Sequence, residues 1–241
     1  MGVDTEQSLR DALAAALAEA TVPDLALLTG DLVQDATPET YDRLATILAA
    51  LPCPAYCLPG NHDEPRLMAE RLGAAGIPAR DCIETGGWRI LCLDSTVPRS
   101  PGGRLADAEL EKLERLLAED GESPTLIALH HHPIPSNSAW MDTMQLENAP
   151  AFLAALERHS CVRGVIFGHV HQAMDTTLNG LRLLGTPSTC FQFKPLQTEF
   201  SLDAVPAGYR WIELGDDGRI DTRVVRLPTG PAGLDIASAG Y

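Results

Sequence analysis

Four short apolar segments of this chain each end in residues that can bind a metal ion or transfer a proton. Continuous apolar runs of this length are typical of strands buried in a parallel sheet. The segments and the residues after them are 25–29 before Gly30-Asp31, 55–58 before Pro59-Gly60-Asn61-His62, 125–129 before His130, and 162–167 before Gly168-His169-Val170-His171. Open α/β sheets bind ligands at the carboxyl ends of their strands. We therefore expect these four strand ends to meet at one site.

The segments between these strands have helical patterns, which predicts an α/β fold. Apolar residues recur at helical spacing in residues 4–20, 37–50, 65–75 and 105–119, and Thr37 followed by Pro38 is a typical helix start. After His171 the pattern becomes all-β, and Asn179-Gly180 predicts a hairpin turn. We expect one domain over residues 1–227, followed by a C-terminal tail, residues 228–241, that is rich in Gly, Ala and Pro.

Net charge restricts the partners of this chain. The formal charge is −15, and such a surface repels nucleic-acid phosphates, so we expect no nucleic-acid partner. A small phosphate ligand remains compatible with this charge, because bound cations can invert the local field. No apolar run approaches 18 residues and no signal peptide is recognisable, so we also expect no contact with a membrane. The sequence predicts no oligomeric state.

The six cysteines indicate a reducing compartment. They are scattered, lie mostly within apolar runs and form no Cys-x-x-Cys pair. We therefore expect reduced, mostly buried thiols and a cytoplasmic protein.

The histidines supply the strongest functional signal in the sequence. Of the seven, only His159 lies outside the strand-end motifs. One histidine at a strand end is more often structural than functional, but a structural role does not explain the whole group. A set of carboxylate, amide and imidazole groups without thiolate suits Mn, Fe or Zn. Two such ions can clamp the oxygens of an in-line displacement at phosphorus and generate a hydroxide at neutral pH.

His62 has a different predicted role. It directly follows Asn61, a plausible metal ligand, and is therefore placed to contact a phosphate oxygen or to protonate a leaving group. Histidine is the usual general acid near neutral pH. Either Asp35 or Asp63 could orient its ring, and the sequence does not decide between them.

Several longer motifs resemble those of a known family. They are Gly-Asp-Leu-Val-Gln-Asp (30–35), Leu-Pro-Gly-Asn-His-Asp (58–63), Leu-His-His-His-Pro (129–133), Gly-His-Val-His (168–171) and Thr-Pro-Ser-Thr-Cys-Phe-Gln-Phe-Lys-Pro (186–195). In this order they resemble the calcineurin-like metallophosphoesterases, and among these the bacterial class III 3′,5′-cyclic-AMP phosphodiesterases. The resemblance extends over nearly the whole chain. It implies a four-layer α-β-β-α sandwich and two divalent metals, Fe, Mn or Zn.

The resemblance also implies roles for individual residues. Asp31 would bridge the two metals, Asn61, His130 and His169 would complete one metal site, and His171 would belong to the other. Asp31, Asn61, His62 and His171 would face the phosphate of the substrate. His131 and His132 would lie outside the set of metal ligands, and Lys194 would either face the substrate or lie in solvent.

The implied reaction is hydrolysis of 3′,5′-cyclic AMP to 5′-AMP by in-line attack of a metal-bound hydroxide. Two alternatives remain open. The substrate could be another diester, such as a glycerophosphodiester or a 2′,3′-cyclic nucleotide. The chain could also be an inactive form that binds a metal or a nucleotide.

The chain departs from the family pattern at its start. Family members begin with a strand that ends in Asp-x-His and supplies two ligands to the first metal, but no Asp-x-His occurs before Gly30. Residues Met1-Gly2-Val3 correspond to the helix that normally follows that strand. We therefore expect the fold without its first strand, and a start codon assigned too far downstream. A shortened inactive or regulatory form is the alternative.

Overall fold

The computed structural model of the chain describes residues 1–238 and residue 240. The helices in this part are α1 Thr5–Leu17, α2 Pro38–Leu48, α3 Pro65–Ala74, α4 Asp107–Glu119, α5 Ala139–Asp142 and α6 Ala149–Leu156. The strands are β1 Ala26–Thr29, β2 Ala55–Leu58, β3 Cys82–Thr85, β4 Trp88–Cys92, β5 Thr125–Leu129, β6 Val162–Phe167, β7 Met174–Leu178, β8 Leu181–Gly185, β9 Gln192–Phe193, β10 Leu202–Asp203, β11 Gly208–Leu214 and β12 Ile220–Arg226.

The largest sheet has six strands in the order β3-β4-β5-β6-β8-β7. Its four central strands are parallel, and the edge strands β3 and β7 pair antiparallel to their neighbours. Outside this sheet, β1 pairs with β2 in parallel, β11 pairs antiparallel with β12, and β9 pairs antiparallel with β10. In the described part of the chain no ladder joins β1 to β11.

Strand β5 shows why the sheets and helices form layers. Leu126 and Ala128 belong to one buried cluster, whereas Ile127 and Leu129 belong to another, because successive side chains of a strand point to opposite faces. All five residues of β5 are buried, so both faces of the large sheet are covered. Burying one such leucine fully contributes about 1.5–3 kcal/mol.

Three apolar clusters separate four layers. The first packs the large sheet against α4 and α6, through residues such as Leu113 and Phe152. The second lies between the large sheet and the pairs β1-β2 and β11-β12, and the third packs β1-β2 against α1, α2 and α3. This arrangement confirms the predicted α-β-β-α sandwich.

The start of α2 forms as the sequence predicts. The Thr37 side chain accepts a hydrogen bond from the Thr40 N–H at 3.3 Å, and Pro38 occupies the first turn. This cap satisfies a backbone donor that the helix cannot pair internally. Helix α2 then buries Tyr41 completely, beneath the loop that carries Asn61 and His62.

Strand β1 is less buried than its sequence suggests. The apolar run 25–29 predicts a buried strand, but all four residues of Ala26–Thr29 are only half-buried. The reason is that Leu27, Leu28 and Thr29 line a cavity that also borders Gly208 and Tyr209 of β11.

The described part of the predicted tail contacts the start of the chain. The Asp235 N–H donates to the Met1 carbonyl at 3.0 Å, and Leu234 packs against the first apolar cluster. Residues 239 and 241 of the predicted tail lie outside the described residues. The domain boundary at residue 227 stays a prediction. No helix in the described part of the chain is both long and apolar enough to cross a lipid bilayer.

Candidate metal centre

Glycines allow the four strand ends to meet. A Cβ on Gly60 would lie 2.2 Å from Asp31 Oδ1, and one on Gly30 would lie 2.4 Å from His130 Nδ1. A Cβ on Gly168 would lie 2.6 Å from the Thr29 carbonyl oxygen. Real Cβ atoms do not approach other atoms this closely, so three of the four strand ends require glycine close to their functional residues. The four predicted strand ends therefore do converge.

Three of the predicted metal ligands have an unusual backbone. The φ angles of Asp31, His169 and His171 are 53°, 63° and 47°. L-residues rarely adopt this left-handed region, and such strain is typical of functional sites. Because the backbone turns at these residues, their side chains point toward the strand ends. They do not alternate between the two faces of the sheet as strand residues do.

His130 lies at the centre of the site. Its Nδ1 donates to the Thr29 carbonyl at 2.8 Å, which leaves Nε2 with a lone pair in the neutral ring. Three further atoms surround this Nε2: His169 Nδ1 at 3.1 Å, Asn61 Oδ1 at 3.2 Å and Asp31 Oδ2 at 3.2 Å. Ligand atoms from four strand ends thus face one another at hydrogen-bond distance.

A divalent cation fits this arrangement. One proton on His130 can satisfy only one of its three neighbours, and the remaining lone pairs would repel one another in a buried environment. A cation at the centre attracts all of them. The donors are carboxylate, amide and imidazole, a set suited to Mn, Fe or Zn. His130, His131 and His169 also offer ring nitrogens that all lie within 4.8 Å of one another.

The pKa shifts of Asp31 and His130 also indicate that this position favours positive charge. Burial alone would raise the pKa of the Asp31 carboxyl, but the neighbouring His130 and the hydrogen bond from the His62 N–H hold this pKa well below its usual range. Burial alone would lower the pKa of His130, but Asp31 raises it above the usual value. Asp31 and His130 thus each favour the charged form of the other.

The remaining ligand imidazoles favour the neutral form. Burial, and next the charge of His130, lower the pKa of His169 well below its usual value. Burial also lowers the pKa of His171 to about 4. A neutral imidazole has the lone pair that a metal ligand needs.

His171 is held from two sides. Its Nδ1 donates to the Phe191 carbonyl at 3.0 Å, so that Nε2 is the nitrogen with a lone pair. Its ring stacks on that of Phe193, with centroids 4.4 Å apart and planes 10° apart. His171 lines the same cavity as Asp31, and its place in a second metal site stays a prediction.

His62 is connected to the site through its backbone and its ring. Its N–H donates to Asp31 Oδ1 at 3.0 Å, and its Nδ1 lies 3.3 Å from Gln34 Nε2. Gln34 was not among the residues expected at the site, although it belongs to the same 30–35 motif as Asp31. Only the folded chain shows that this amide reaches the ring.

Asp63 has another task. Its carboxylate accepts hydrogen bonds from the Gly60 N–H at 2.9 Å, the Leu32 N–H at 3.1 Å and the Tyr41 hydroxyl at 3.0 Å. Burial raises its pKa, although all three of these bonds oppose that shift. The Asp63 carboxylate therefore connects the loop after β1 to the loop after β2. These hydrogen bonds occupy both carboxylate oxygens.

A cavity of about 460 Å³ opens beside these residues. Asp31, His130, His169, His171 and Gln34 line it, and its volume is within the range of small-molecule sites. Lys194, which the sequence places either near the substrate or in solvent, is exposed and is not among the lining residues.

Comparison with known proteins finds a matching family and close relatives. Residues 4–173 match the family model described as calcineurin-like phosphoesterase. The chain is 42% identical over 242 aligned residues to the 3′,5′-cyclic adenosine monophosphate phosphodiesterase CpdA of Escherichia coli, covering 100% of this chain and 88% of that protein. It is 37% identical to CpdA of Pseudomonas aeruginosa, with the same coverage.

Solved structures share the fold. A dimetal phosphatase from Danio rerio superposes with a TM-score of 0.63 over 91% of this chain and 88% of that chain, at 18% identity. A Thermus thermophilus protein superposes with a TM-score of 0.56 over 92% of this chain and 94% of that chain, at 16% identity. At these identities the likeness concerns the architecture alone.

Proposed function

The chain belongs to the calcineurin-like phosphoesterase family, and we propose that it is a metal-dependent enzyme that hydrolyses 3′,5′-cyclic AMP to 5′-AMP. The observation that carries this proposal is the convergence of Asp31, Asn61 and His169 on the Nε2 atom of His130. The choice of substrate draws support from relatives at 37–42% identity over the whole chain, which are named cyclic-AMP phosphodiesterases.

In this proposal Asn61, His130 and His169 would hold one divalent ion, His171 would contribute to a second, and Asp31 would be a ligand of both. Iron, manganese or zinc would suit these donors. Such ions would supply positive charge to the diester phosphate and lower the pKa of a water molecule. Asp31, Asn61, His62 and His171 would face the phosphate.

His62 handles the proton in this proposal. Hydrolysis joins a water oxygen to phosphorus, breaks the bond between phosphorus and the 3′ oxygen, and leaves that oxygen in need of a proton. The protonated ring of His62 supplies it and is reprotonated from solvent. Its backbone bond to Asp31 and its contact with Gln34 hold the ring beside the phosphate site.

The cysteines and the net charge support a cellular location and a class of partner. All six cysteines are free thiols, which supports a place in the cytoplasm. The charge of −15 favours a small cyclic nucleotide over a nucleic acid as the partner.

Hydrolysis of a panel of diesters tests the proposal. The protein is loaded with Mn²⁺ or Fe²⁺, its metal content is measured, and kcat/KM is compared for 3′,5′-cyclic AMP, 2′,3′-cyclic AMP and a glycerophosphodiester. We expect the highest value for 3′,5′-cyclic AMP. Asp31→Asn should lose metal and turnover together. The control Asp175→Asn, at a surface ion pair with Arg182, should retain both.

Two results would overturn the proposal in different ways. A higher kcat/KM for another diester would refute the assignment of 3′,5′-cyclic AMP as the substrate. A fully loaded protein that hydrolyses none of these diesters would refute the enzymatic role and favour a module that only binds a metal or a nucleotide.

A further inference from the structure

Two histidines beside the metal centre have no part in the mechanism above. His131 and His132 directly follow the ligand His130, and both are completely buried. Nevertheless His131 Nε2 and His132 Nδ1 have no hydrogen-bond partner among the described residues, whereas His132 Nε2 lies 3.4 Å from Asp142 Oδ1. Buried polar side chains nearly always have a partner, so His131 Nε2 and His132 Nδ1 require an explanation.

His169 also has a ring nitrogen without a hydrogen-bond partner among the described residues, on the side away from the metal centre. Its Nδ1 faces His130 Nε2 at 3.1 Å, and its Nε2 is buried and also has no hydrogen-bond partner among the described residues. A metal-binding histidine usually donates its second ring N–H to an acceptor, which fixes the orientation of the ring.

The imidazoles with these nitrogens pack around one another. The rings of His131 and His169 have centroids 4.8 Å apart, and His132 stacks on His169 at 5.6 Å with planes 20° apart. Three unsatisfied ring nitrogens, His131 Nε2, His132 Nδ1 and His169 Nε2, therefore occupy one buried region. A small enclosed region with two to four polar partners is the usual setting of an ordered water molecule.

His131 is also firmly held in place. The Ser95 hydroxyl oxygen lies 2.8 Å from its Nδ1 and accepts its backbone N–H at 3.2 Å. A Cβ on Gly103 would lie 2.2 Å from its Cγ, so the backbone of residue 103 closes one side of the ring. Because the His131 ring is held this tightly, it can fix the orientation of a neighbouring ring.

We propose that His131 and His132 are positioning residues for the metal ligand His169 and that the three imidazoles enclose one buried water. The water accepts the Nε2–H of His169 and donates to ring nitrogens of His131 and His132. This inference rests on the proposed function, since it takes His169 as a metal ligand.

Variants that keep a flat ring but remove the nitrogens test this inference. Metal release to excess chelator is measured for Co²⁺-loaded His131→Phe and His132→Phe, together with the visible spectrum of the Co²⁺ protein. We expect release about 10–100-fold faster and an altered spectrum, which is the effect typical of losing such a partner. His131→Gln, which keeps a polar group, should restore part of the retention.

Two controls separate positioning from general stability. His159→Phe removes an imidazole that contacts Glu114 at 3.1 Å, away from the centre, and should leave Co²⁺ release unchanged. The melting temperature of the metal-free protein is measured beside Co²⁺ release, because His131→Phe also removes the contact between Nδ1 and the Ser95 hydroxyl. If either phenylalanine variant does not fold, the glutamine variant at that position replaces it.

Three outcomes would overturn the inference. They are unchanged Co²⁺ release and spectrum in both phenylalanine variants, a fall in metal-free stability without faster release, and a high-resolution structure without a water at His169 Nε2. Failure of the proposed function is recognised separately. A protein that retains Co²⁺ but hydrolyses no diester would refute the function and leave the release measurements valid.

Discussion

The Nε2 atom of His130 lies 3.1 Å from the Nδ1 atom of His169, although 39 residues separate them in the chain. The cause is the register of two adjacent parallel strands, in which Leu129 of β5 pairs with Phe167 of β6. Both strands end at the same edge of the sheet, and the left-handed backbone of His169 turns its ring back toward His130. A shift of this register would separate the two rings and dismantle the metal centre.

Gly60→Ala should damage the metal centre. The new Cβ would lie 2.2 Å from Asp31 Oδ1 and 2.3 Å from the Asp31 backbone nitrogen, so that Asp31 must move. We expect reduced metal content and a loss of about 1–3 kcal/mol in unfolding free energy, as for other overpacked sites. Metal analysis and urea denaturation measure the two effects.

Gly73→Ala is the matched control for that variant. Gly73 lies in α3 with no atom near its added Cβ, so the substitution should stabilise the helix by about 0.5–1 kcal/mol and leave metal content unchanged. Equal behaviour of the two glycine variants would contradict the close packing at Gly60.

His62→Ala should reduce kcat about 10²–10⁴-fold and leave metal content unchanged. The reason is that the ring acts as the proton donor, and removing a general acid typically has an effect of this size. Steady-state kinetics and metal analysis provide the two readouts, and His159→Ala serves as a control outside the site. If metal is lost along with activity, the His62 side chain is a ligand and the assigned role is wrong.

Tyr41→Phe should destabilise the loop that carries Asn61. The hydroxyl donates to Asp63 Oδ1 at 3.0 Å and accepts the Glu64 N–H at 3.1 Å, and the variant removes both hydrogen bonds. We expect a loss of about 1–3 kcal/mol in urea denaturation. Tyr209→Phe should have a smaller effect, because that hydroxyl is only part-buried beside Glu19. The reverse order would contradict this account.

Asp120→Ala should lower stability in a pH-dependent way. Hydrogen bonds from Ser123 and then from the Glu122 N–H lower the pKa of Asp120 from 3.8 to about 2. Because the folded pKa lies below the unfolded value, the stabilisation is present above pH 3.8 and is lost as the pH falls toward 2. Melting temperatures of both proteins across this window should therefore converge at low pH. A difference independent of pH would show that the carboxylate charge has no role.

Local patterns in the sequence predict much of the framework. Residues 55–58, 125–129 and 162–167 are strands with the predicted bounds, because fully or largely buried strands leave continuous apolar runs in the sequence. Asn179-Gly180 likewise forms the predicted turn between β7 and β8, since both residues tolerate positive φ.

Contacts between distant segments do not leave such local patterns. The sequence left open whether Asp35 or Asp63 orients His62, whereas the structure brings Gln34 to its ring and engages Asp63 with Gly60, Leu32 and Tyr41. The exposure of β1 was also missed, because an apolar run does not reveal whether a neighbouring strand covers its edge.

The sequence by itself determined which residues could form the site, since each of Asp31, Asn61, His130 and His169 follows an apolar run that must be a strand. Only the tertiary structure decided that their ligand atoms meet around one nitrogen, and that His131 and His132 pack beside His169. The physical reason is that strand order and register depend on pairing between segments far apart in the chain. Residue type and spacing predict only the local structure and the chemical groups of each segment.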